Sequence, residues 1–325
     1  MPLWLTEADV RSALEPLELI DAMEGALQAL SAREVAQPVR TAIEIGDRSF
    51  FAVMPAFDGR RAILGAKLVS VAPANAERGI PTHLAAISLL DAVTGELLAV
   101  ADGRYITEVR TAAASAVSVR HLARRDARVL AILGSGVQAR SHREVLPAVR
   151  PFTEIRVWSP TAAHRERFAR EDSGSACPIR ATGSAEEAVR GADVIVLATN
   201  AVTPALDNRW VADGAHIIAI GACRVSQREI DPELVARAAL FVDSRDAALA
   251  ESGDVVQSIA EGRFGPAHIR AELGAVVAGR APGRTSEVEV TLFKSLGQAI
   301  EDLVAADLAY RRAAAAGRGI RLTLT

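Results

Sequence analysis

Only two cysteines, Cys177 and Cys223, occur in the 325 residues, too few for a disulfide framework or a thiolate metal site. The six histidines show no ligand spacing such as HxxxH, so no metal is expected. Charge of one sign is scarce as well. The formal net charge of −3 at pH 7 gives no basic field to attract nucleic acid or an anionic membrane surface. No run approaches the roughly 18 apolar residues a membrane helix needs, and "MPLWLTEADVRSALEP" lacks the basic start and apolar core of a secretory signal. The cytoplasm is therefore the expected compartment. There is no internal repeat, and no low-complexity stretch beyond an alanine-rich tail.

The chain is long enough to bury two cores, and with 50% hydrophobic and 24% charged residues it has the balance of a globular protein. From about residue 119 strands alternate with helices, as in a parallel sheet with crossover helices. Strands are expected at 129–133, 155–158, 194–198, 217–220 and 240–242, with a weaker one near Ile179. The helices between them fall at 139–149, 162–170, 185–190 and 232–238. "VIVLA" and "IIAI" are apolar throughout rather than at alternate positions, so both faces of those strands should be covered.

Residues 1–118 read as α+β. "TEADVRSALEPLELIDAMEGALQAL" gives two short helices, the first starting near Thr6 and Glu7. Strand-like runs follow: "SFFAVMPAF", "ILGAKLVSV", "LAAISLLDA" and "ELLAVAD". The last two are joined by "DAVTGE", whose glycine suits the positive φ of a hairpin turn. An antiparallel or mixed sheet is expected. Near the other end, "SEVEVTLFKSLGQAIEDLVAADLAYRRAAAAGRG" predicts a strand ending at Ser295, which would cap a long helix running to Gly317. Leu296, Ile300, Leu303, Val304 and Leu308 keep helical spacing there, and residues from about 303 to 325 are expected to return to the N-terminal domain. The fold class is thus α/β: a Rossmann doubly wound parallel sheet over 119–302, plus an α+β domain completed by the C-terminal helix.

Gly134-Ser135-Gly136-Val137-Gln138-Ala139 follows a strand and opens a helix, as the G-x-G-x-x-G/A dinucleotide fingerprint requires. Gly134 would make the tight turn, Gly136 would admit the pyrophosphate, and Ala139 would let the helix lie close on the strand. Unpaired N–H groups at the helix start would then face the diphosphate. About 20 residues further on, NAD-preferring sites place an acid against the ribose 2′-hydroxyl. Here the chain reads "VWSPTAAHRER", with Ser159 and Thr161 in that place and His164, Arg165 and Arg167 behind them. Hydroxyls beside a cation suit a 2′-phosphate, so NADPH is the expected cofactor and NADH the alternative.

Three cations stand out in the N-terminal domain: Arg40 in "QPVRT", Lys67 in "ILGAKLVS" and Arg110 in "ITEVRTAAASA". Lys67 lies in an apolar strand, where a lysine needs a partner or a function. Arg110 begins a small-residue helix leading into the dinucleotide strand, which places it at an interdomain cleft. Taken singly, each cation is more commonly part of a surface salt bridge. Cys223 reads as a small apolar filler near the cofactor, Cys177 before Pro178 as structural, and Arg311-Arg312 as a solvated helix face. His83 either lines the substrate pocket or hydrogen-bonds within the sheet.

"GAKLVS", "RGIPTHLAAISLLDAVTGELLAVADGRYITEVRTAAASA", "ILGSGVQAR" and "VTLFKSLGQAIEDL" resemble, in order and almost end to end, the ornithine cyclodeaminase/mu-crystallin family. The resemblance implies a homodimer, a substrate-binding and dimerisation domain made of residues 1–118 and about 303–325, and substrate held at the nicotinamide between domains. It makes Arg40, Lys67 and Arg110 binders of a substrate carboxylate. Thr82 and His83 match positions lining substrate, and Thr82 and Arg110 also serve the cofactor. Gly134, Ser135, Gly136, Val137 and Gln138 match the pyrophosphate loop, and Ser159, Thr161 and Arg165 the adenosine-ribose end. Thr199, Ser295 and Leu296 match further cofactor contacts, and Cys223 is counted with them for its expected place near the cofactor.

Two departures narrow the activity. The cyclodeaminases carry an aspartate in a "G-A/G-D-x-P-G-K" stretch, where this chain reads "IIAIGACRVSQREIDPEL" with Cys223 in its place. They also carry a glutamate just before "MP", where "FAVMPAF" has Ala52 in the matching place. With both acids gone, the resemblance points to reduction of cyclic ketimines, Δ1-pyrroline-2-carboxylate or Δ1-piperideine-2-carboxylate, to L-proline or L-pipecolate. In that scheme Lys67 and Arg110 are the catalytic pair. Rival readings are an alanine dehydrogenase-like oxidoreductase, an ornithine or lysine cyclodeaminase, and a non-catalytic small-ligand binder of the mu-crystallin kind.

Overall fold

In the computed structural model, which describes residues 1–46, 49–171 and 177–323, the chain divides into two units. One is Met1–Arg110 with Gly297–Thr325, the other Thr111–Leu296. These boundaries fall earlier than 118 and 303, where the sequence changes character, and the first lies inside a helix.

The first unit opens with strand β1 (Leu3–Leu5) and helix α1 (Glu7–Ala13). Thr6 caps α1 in a capping box with Asp9, which satisfies two donors that the first turn would leave orphaned. Pro16 starts α2 (Pro16–Ser31), where its missing N–H costs nothing. Then come β2 (Val35–Ala36), β3 (Thr41–Gly46), β4 (Ser49–Asp58), β5 (Ile63–Val71), β6 (His83–Asp91) and β7 (Leu97–Asp102). The β6–β7 hairpin turns at Gly95, φ +76°. The sheet is mixed, in the order β1, β7, β6, β5, β4, β2, with β3 also on β4 and Ile320–Arg321 beyond β1. Among the described residues, only β1 and β7 run parallel, and the other pairs are antiparallel.

The long C-terminal helix, Ala299–Ala315, lies on β4, β5 and β6 and against α1 and α2. Its cap is Gln298 rather than Ser295, because Gly297 at φ +76° interrupts the chain between strand and helix. The amide of Gln37 completes this start, accepting from the Ile300 N–H at 3.1 Å and donating to Gln298 Oε1 at 2.8 Å. Helix α3 (Gly103–Leu122) follows β7 and carries the chain out of the first unit at Arg110.

The second unit holds eight parallel strands. They are β8 (Val129–Leu133), β9 (Glu154–Trp158), β10 (Ile179–Ala181), β11 (Val194–Leu197), β12 (His216–Ala219), β13 (Ala239–Val242), β14 (Ile269–Glu272) and β15 (Thr291–Lys294). Their spatial order is β10, β9, β8, β11, β12, β15, β13, β14. The order reverses between β8 and β11, the switch point at which a doubly wound sheet opens a ligand crevice. The polar edge strand β14 and the seat of β15 between β12 and β13 were not read from the sequence. Sequence gives an element's period, whereas the pairing order depends on which neighbour it meets.

Helix α4 (Val137–Val145), which follows the glycine turn, ends before the expected residue 149, since Pro147 admits only a short 3₁₀ turn there. Two buried histidines tie the unit together. His142 of α4 donates from Nδ1 to its own helix at Gln138 O, 2.7 Å, and meets Ser115 Oγ through Nε2 at 2.8 Å. His216 of β12 lies 3.0 Å from Ser118 Oγ and 2.9 Å from Thr291 Oγ1. Ser115 and Ser118 are three apart on α3, hence on one face. Burial pushes both imidazoles down, His142 to about 4 and His216 to about 3, so both are neutral near pH 7. Among the described residues no helix is long and apolar enough to cross a membrane.

Candidate functional site

The two-residue period of β5 turns Ile63, Gly65, Lys67 and Val69 to the helix-covered side of the sheet. Lys67 therefore enters the core, only 2% exposed. Its Nζ sits 2.5 Å from Asp302 Oδ2 on the C-terminal helix. Arg110 grips the same helix, donating from Nε to Asp302 Oδ1 at 2.7 Å and from Nη1 to Glu301 Oε2 at 2.6 Å. Gly297 makes room for this guanidinium, since a Cβ there would stand 2.6 Å from Arg110 Nη1. Arg40, half-buried, reaches Gly297 O at 3.4 Å.

The charges act on one another. Burial lowers the Lys67 ammonium to about 8; Asp302 opposes this, while Arg110 and Arg40 add to it. Burial works to raise the Asp302 carboxyl, but Arg110 and Lys67 overcome it and hold that group below its ordinary value. His83, at the start of β6, is pushed down to about 4 by burial and then by Lys67, with Arg110 adding to the effect. The imidazole is thus uncharged at neutral pH, and neighbouring Thr82 is exposed. Arg40, Lys67, His83 and Arg110 form one electrostatic cluster, and two helix acids hold two of its cations. Glu301 and Asp302 were not anticipated. Every residue from Ala299 to Ala306 is buried, so this part of the helix has no solvent face to contrast with an apolar stripe, and periodicity could not single the acids out.

In the second unit Gly134 has φ +123°, and a Cβ there would lie 2.3 Å from Ala198 O; only glycine makes this turn. Gly136 caps α4 with no side-chain hydrogen bond, and nothing lies within 4 Å of where its Cβ would stand. Val137 is exposed and Gln138 half-buried. An open backbone at the start of a helix, with no side chain capping it, fits a pyrophosphate. Ser135 Oγ donates to Ser159 Oγ at 3.1 Å, bridging the β8 and β9 loops. Arg165 Nη1 donates to Ser159 O at 2.9 Å and bends over the loop that begins α5 (Ala162–Arg170), where Thr161 is exposed.

At the carboxyl ends of β11, β12 and β15 the expected residues are held by acids that were not anticipated. Thr199 donates from both N and Oγ1 to Glu229 Oε1, each at 2.8 Å. Gly221 and Ala222 donate their N–H groups to Glu229 Oε2, each at 2.8 Å. Ser295 Oγ and the Leu296 N–H donate to Asp243 Oδ2 at 3.2 and 2.6 Å. Cys223 is half-buried, its Sγ 3.3 Å from Ile220 O.

The sequence profile of the ornithine cyclodeaminase/mu-crystallin family matches residues 2–317. The chain is 44% identical to the ketimine reductase mu-crystallin of Rattus norvegicus over 314 residues, 95% of this chain and 96% of that protein. Δ1-Pyrroline-2-carboxylate reductase of Thermococcus litoralis, solved in complex with NADH and L-proline, superposes with a TM-score of 0.96 at 37% identity, covering 98% of this chain and all of that one. An archaeal alanine dehydrogenase dimer with bound NAD superposes at 0.94 with 30% identity, covering 100% and 99% of the two chains.

Proposed function

The chain belongs to the ornithine cyclodeaminase/mu-crystallin family, and we propose that it is an NAD(P)H-dependent reductase of cyclic ketimines. Its substrate would be Δ1-pyrroline-2-carboxylate or Δ1-piperideine-2-carboxylate, giving L-proline or L-pipecolate. The observation that carries this reading is the cluster of buried Lys67 and Arg110 with half-buried Arg40 beside Asp302, in a chain whose relatives include a reductase holding proline. The open turn Gly134–Gly136 and its bridge from Ser135 to Ser159 support a dinucleotide.

A reduced nicotinamide, when bound, supplies hydride. The chain's own residues do the rest. Arg110 is locked by two carboxylates, one on Nε and one on Nη1, so its remaining N–H donors have a fixed direction in which to meet a substrate carboxylate. Holding that acid in one plane orients the C=N carbon, and orientation is the larger part of the catalysis. Lys67 has three N–H bonds and one anionic partner at 2.5 Å. With an ammonium lowered to about 8, it holds a proton that can be passed to the imine nitrogen near neutral pH.

The β9 end carries hydroxyls and Arg165 where an acid would favour NADH, which supports NADPH as the preferred form. A second copy of the chain is the proposed partner. The sheet face turned away from Lys67 carries exposed Phe57, Leu68 and Leu84, an apolar surface of the kind another subunit covers; a monomeric mass by light scattering would refute the homodimer.

The deciding assay mixes purified protein with NADPH or NADH and each cyclic imine and follows the reduced cofactor's absorbance. Oxidation with cyclic imine is expected, faster with NADPH. Turnover with pyruvate and ammonia alone would instead make it an alanine dehydrogenase. Ammonia released from ornithine without net cofactor change would make it a cyclodeaminase. Cofactor binding without turnover on any of these would leave a ligand binder.

A further inference from the structure

Glu229 is fully buried and belongs to no strand or helix. Its two oxygens accept four hydrogen bonds, from the N and Oγ1 of Thr199 after β11 and from the N–H groups of Gly221 and Ala222 after β12. Gly221 presses close enough that a Cβ would stand 2.4 Å from Glu229 Oε1. Behind it, Asp254 in helix α6 (Gly253–Ala260) accepts from the Glu229 and Ile230 N–H groups through Oδ1 at 2.8 and 3.1 Å. Lys294, the last residue of β15, lies 3.2 Å from Asp254 Oδ2 and 4.0 Å from Glu229 Oε2. One carboxylate thus fixes the two loops next to the switch point, on the half of the sheet opposite the β8–β9 adenosine half.

We propose that Glu229 is a positioning residue that shapes the nicotinamide half of the cofactor site. This rests on the dinucleotide reading above. An ionised carboxylate is acceptor-only and can take all four donors. Its protonated form, or an amide, brings a donor of its own and turns at least one loop N–H away. Among the described residues, the charged groups facing it are Lys294 from β15 and Asp254 from α6. Lys294 stays charged, since Asp254 and Glu229 raise its ammonium against the burial that lowers it. Glu229 is the group that titrates, because burial raises it to about 7, with Lys294 opposing and Asp254 adding. The loops therefore slacken as pH falls through about 7.

The test measures binding rather than turnover. NADH, NADPH and ADP-ribose (with its 2′-phosphate form if NADPH binds tighter) are titrated into wild-type protein and Glu229→Gln by fluorescence and calorimetry between pH 6 and 8.5. The wild type should bind its preferred dinucleotide more weakly at pH 6 than at 8. Glu229→Gln should lose about tenfold in dinucleotide affinity, the size of one hydrogen bond to a charged group, with a flat pH dependence and unchanged binding of the adenosine-half probe. Equal losses for dinucleotide and probe, or no loss, would overturn the inference. A wild type that binds no dinucleotide would overturn the cofactor reading itself, which separates the two failures. Should Glu229→Gln not fold, Thr199→Val removes one donor and must weaken dinucleotide but not probe.

Discussion

Each unit buries an ionic cluster, and the two are built for opposite purposes. In the first, Lys67 and Arg110 face Glu301 and Asp302 with Arg40 nearby, so three cations stand with two acids. In the second, Glu229 and Asp254 face the single cation Lys294, and backbone N–H groups supply the remaining donors. The first arrangement has cations in excess of acids, which under the proposed function receive a substrate carboxylate. The second uses acids to hold its own loops. Burial alone says little about purpose, because a buried ion pair contributes little net stability; what the partners are made of tells the two apart.

The comparison breaks first at Asp302. Asp302→Ala leaves two buried cations with one acid between them, and unfolding in urea should show a loss of about 3–5 kcal/mol. A loss under ~1 kcal/mol would mean that the cluster relaxes into solvent and is not the rigid receiver described. Next comes Lys67→Met, which should lower kcat/KM for the cyclic imine about 10²-fold. The wild-type kcat/KM should fall above pH 8, where Lys67 loses its proton, and the variant should lack that limb. If the variant keeps the wild-type pH profile and only KM rises, Lys67 binds carboxylate and donates nothing.

The smallest effect per residue is acid sensitivity of the second unit. His142 and His216 are lowered to about 4 and about 3, whereas an unfolded chain protonates histidine near ~6.5. The unfolded state thus takes up protons first, so stability is whole above that value and declines as pH falls below it. At pH 5 each histidine should cost about 2 kcal/mol. The urea midpoint at pH 7.5 and pH 5 measures it, and His142→Gln should reduce the difference. Equal changes in wild type and variant would show that the His142 imidazole is not held neutral, since Glu229, raised to about 7, contributes with the opposite sign to both proteins.

Much of this was legible in residue order. The β5 run, the hairpin at Gly95 and the turn at Gly134 were all marked by period or by glycine. Lys67 drew attention because a lysine in an apolar strand is costly without a partner. The partners were not legible, since Asp302 is 235 residues from Lys67 along the chain and Glu229 sits in a loop with no pattern of its own. Only the close approach of the C-terminal helix to β5 and of the Glu229 loop to two strand ends reveals them.

By itself, then, the sequence determined where many of the strands and helices lie, where the tight turn at Gly134 falls and which cations are out of place. These depend on neighbours a few residues apart, through side-chain period and backbone conformation. Tertiary structure alone decided that β15 enters between β12 and β13, that Glu301 and Asp302 hold Lys67 and Arg110, and that Glu229 closes two loops. Such contacts join segments far apart in the chain, and their energy depends on distance and burial, which exist only once the fold has formed.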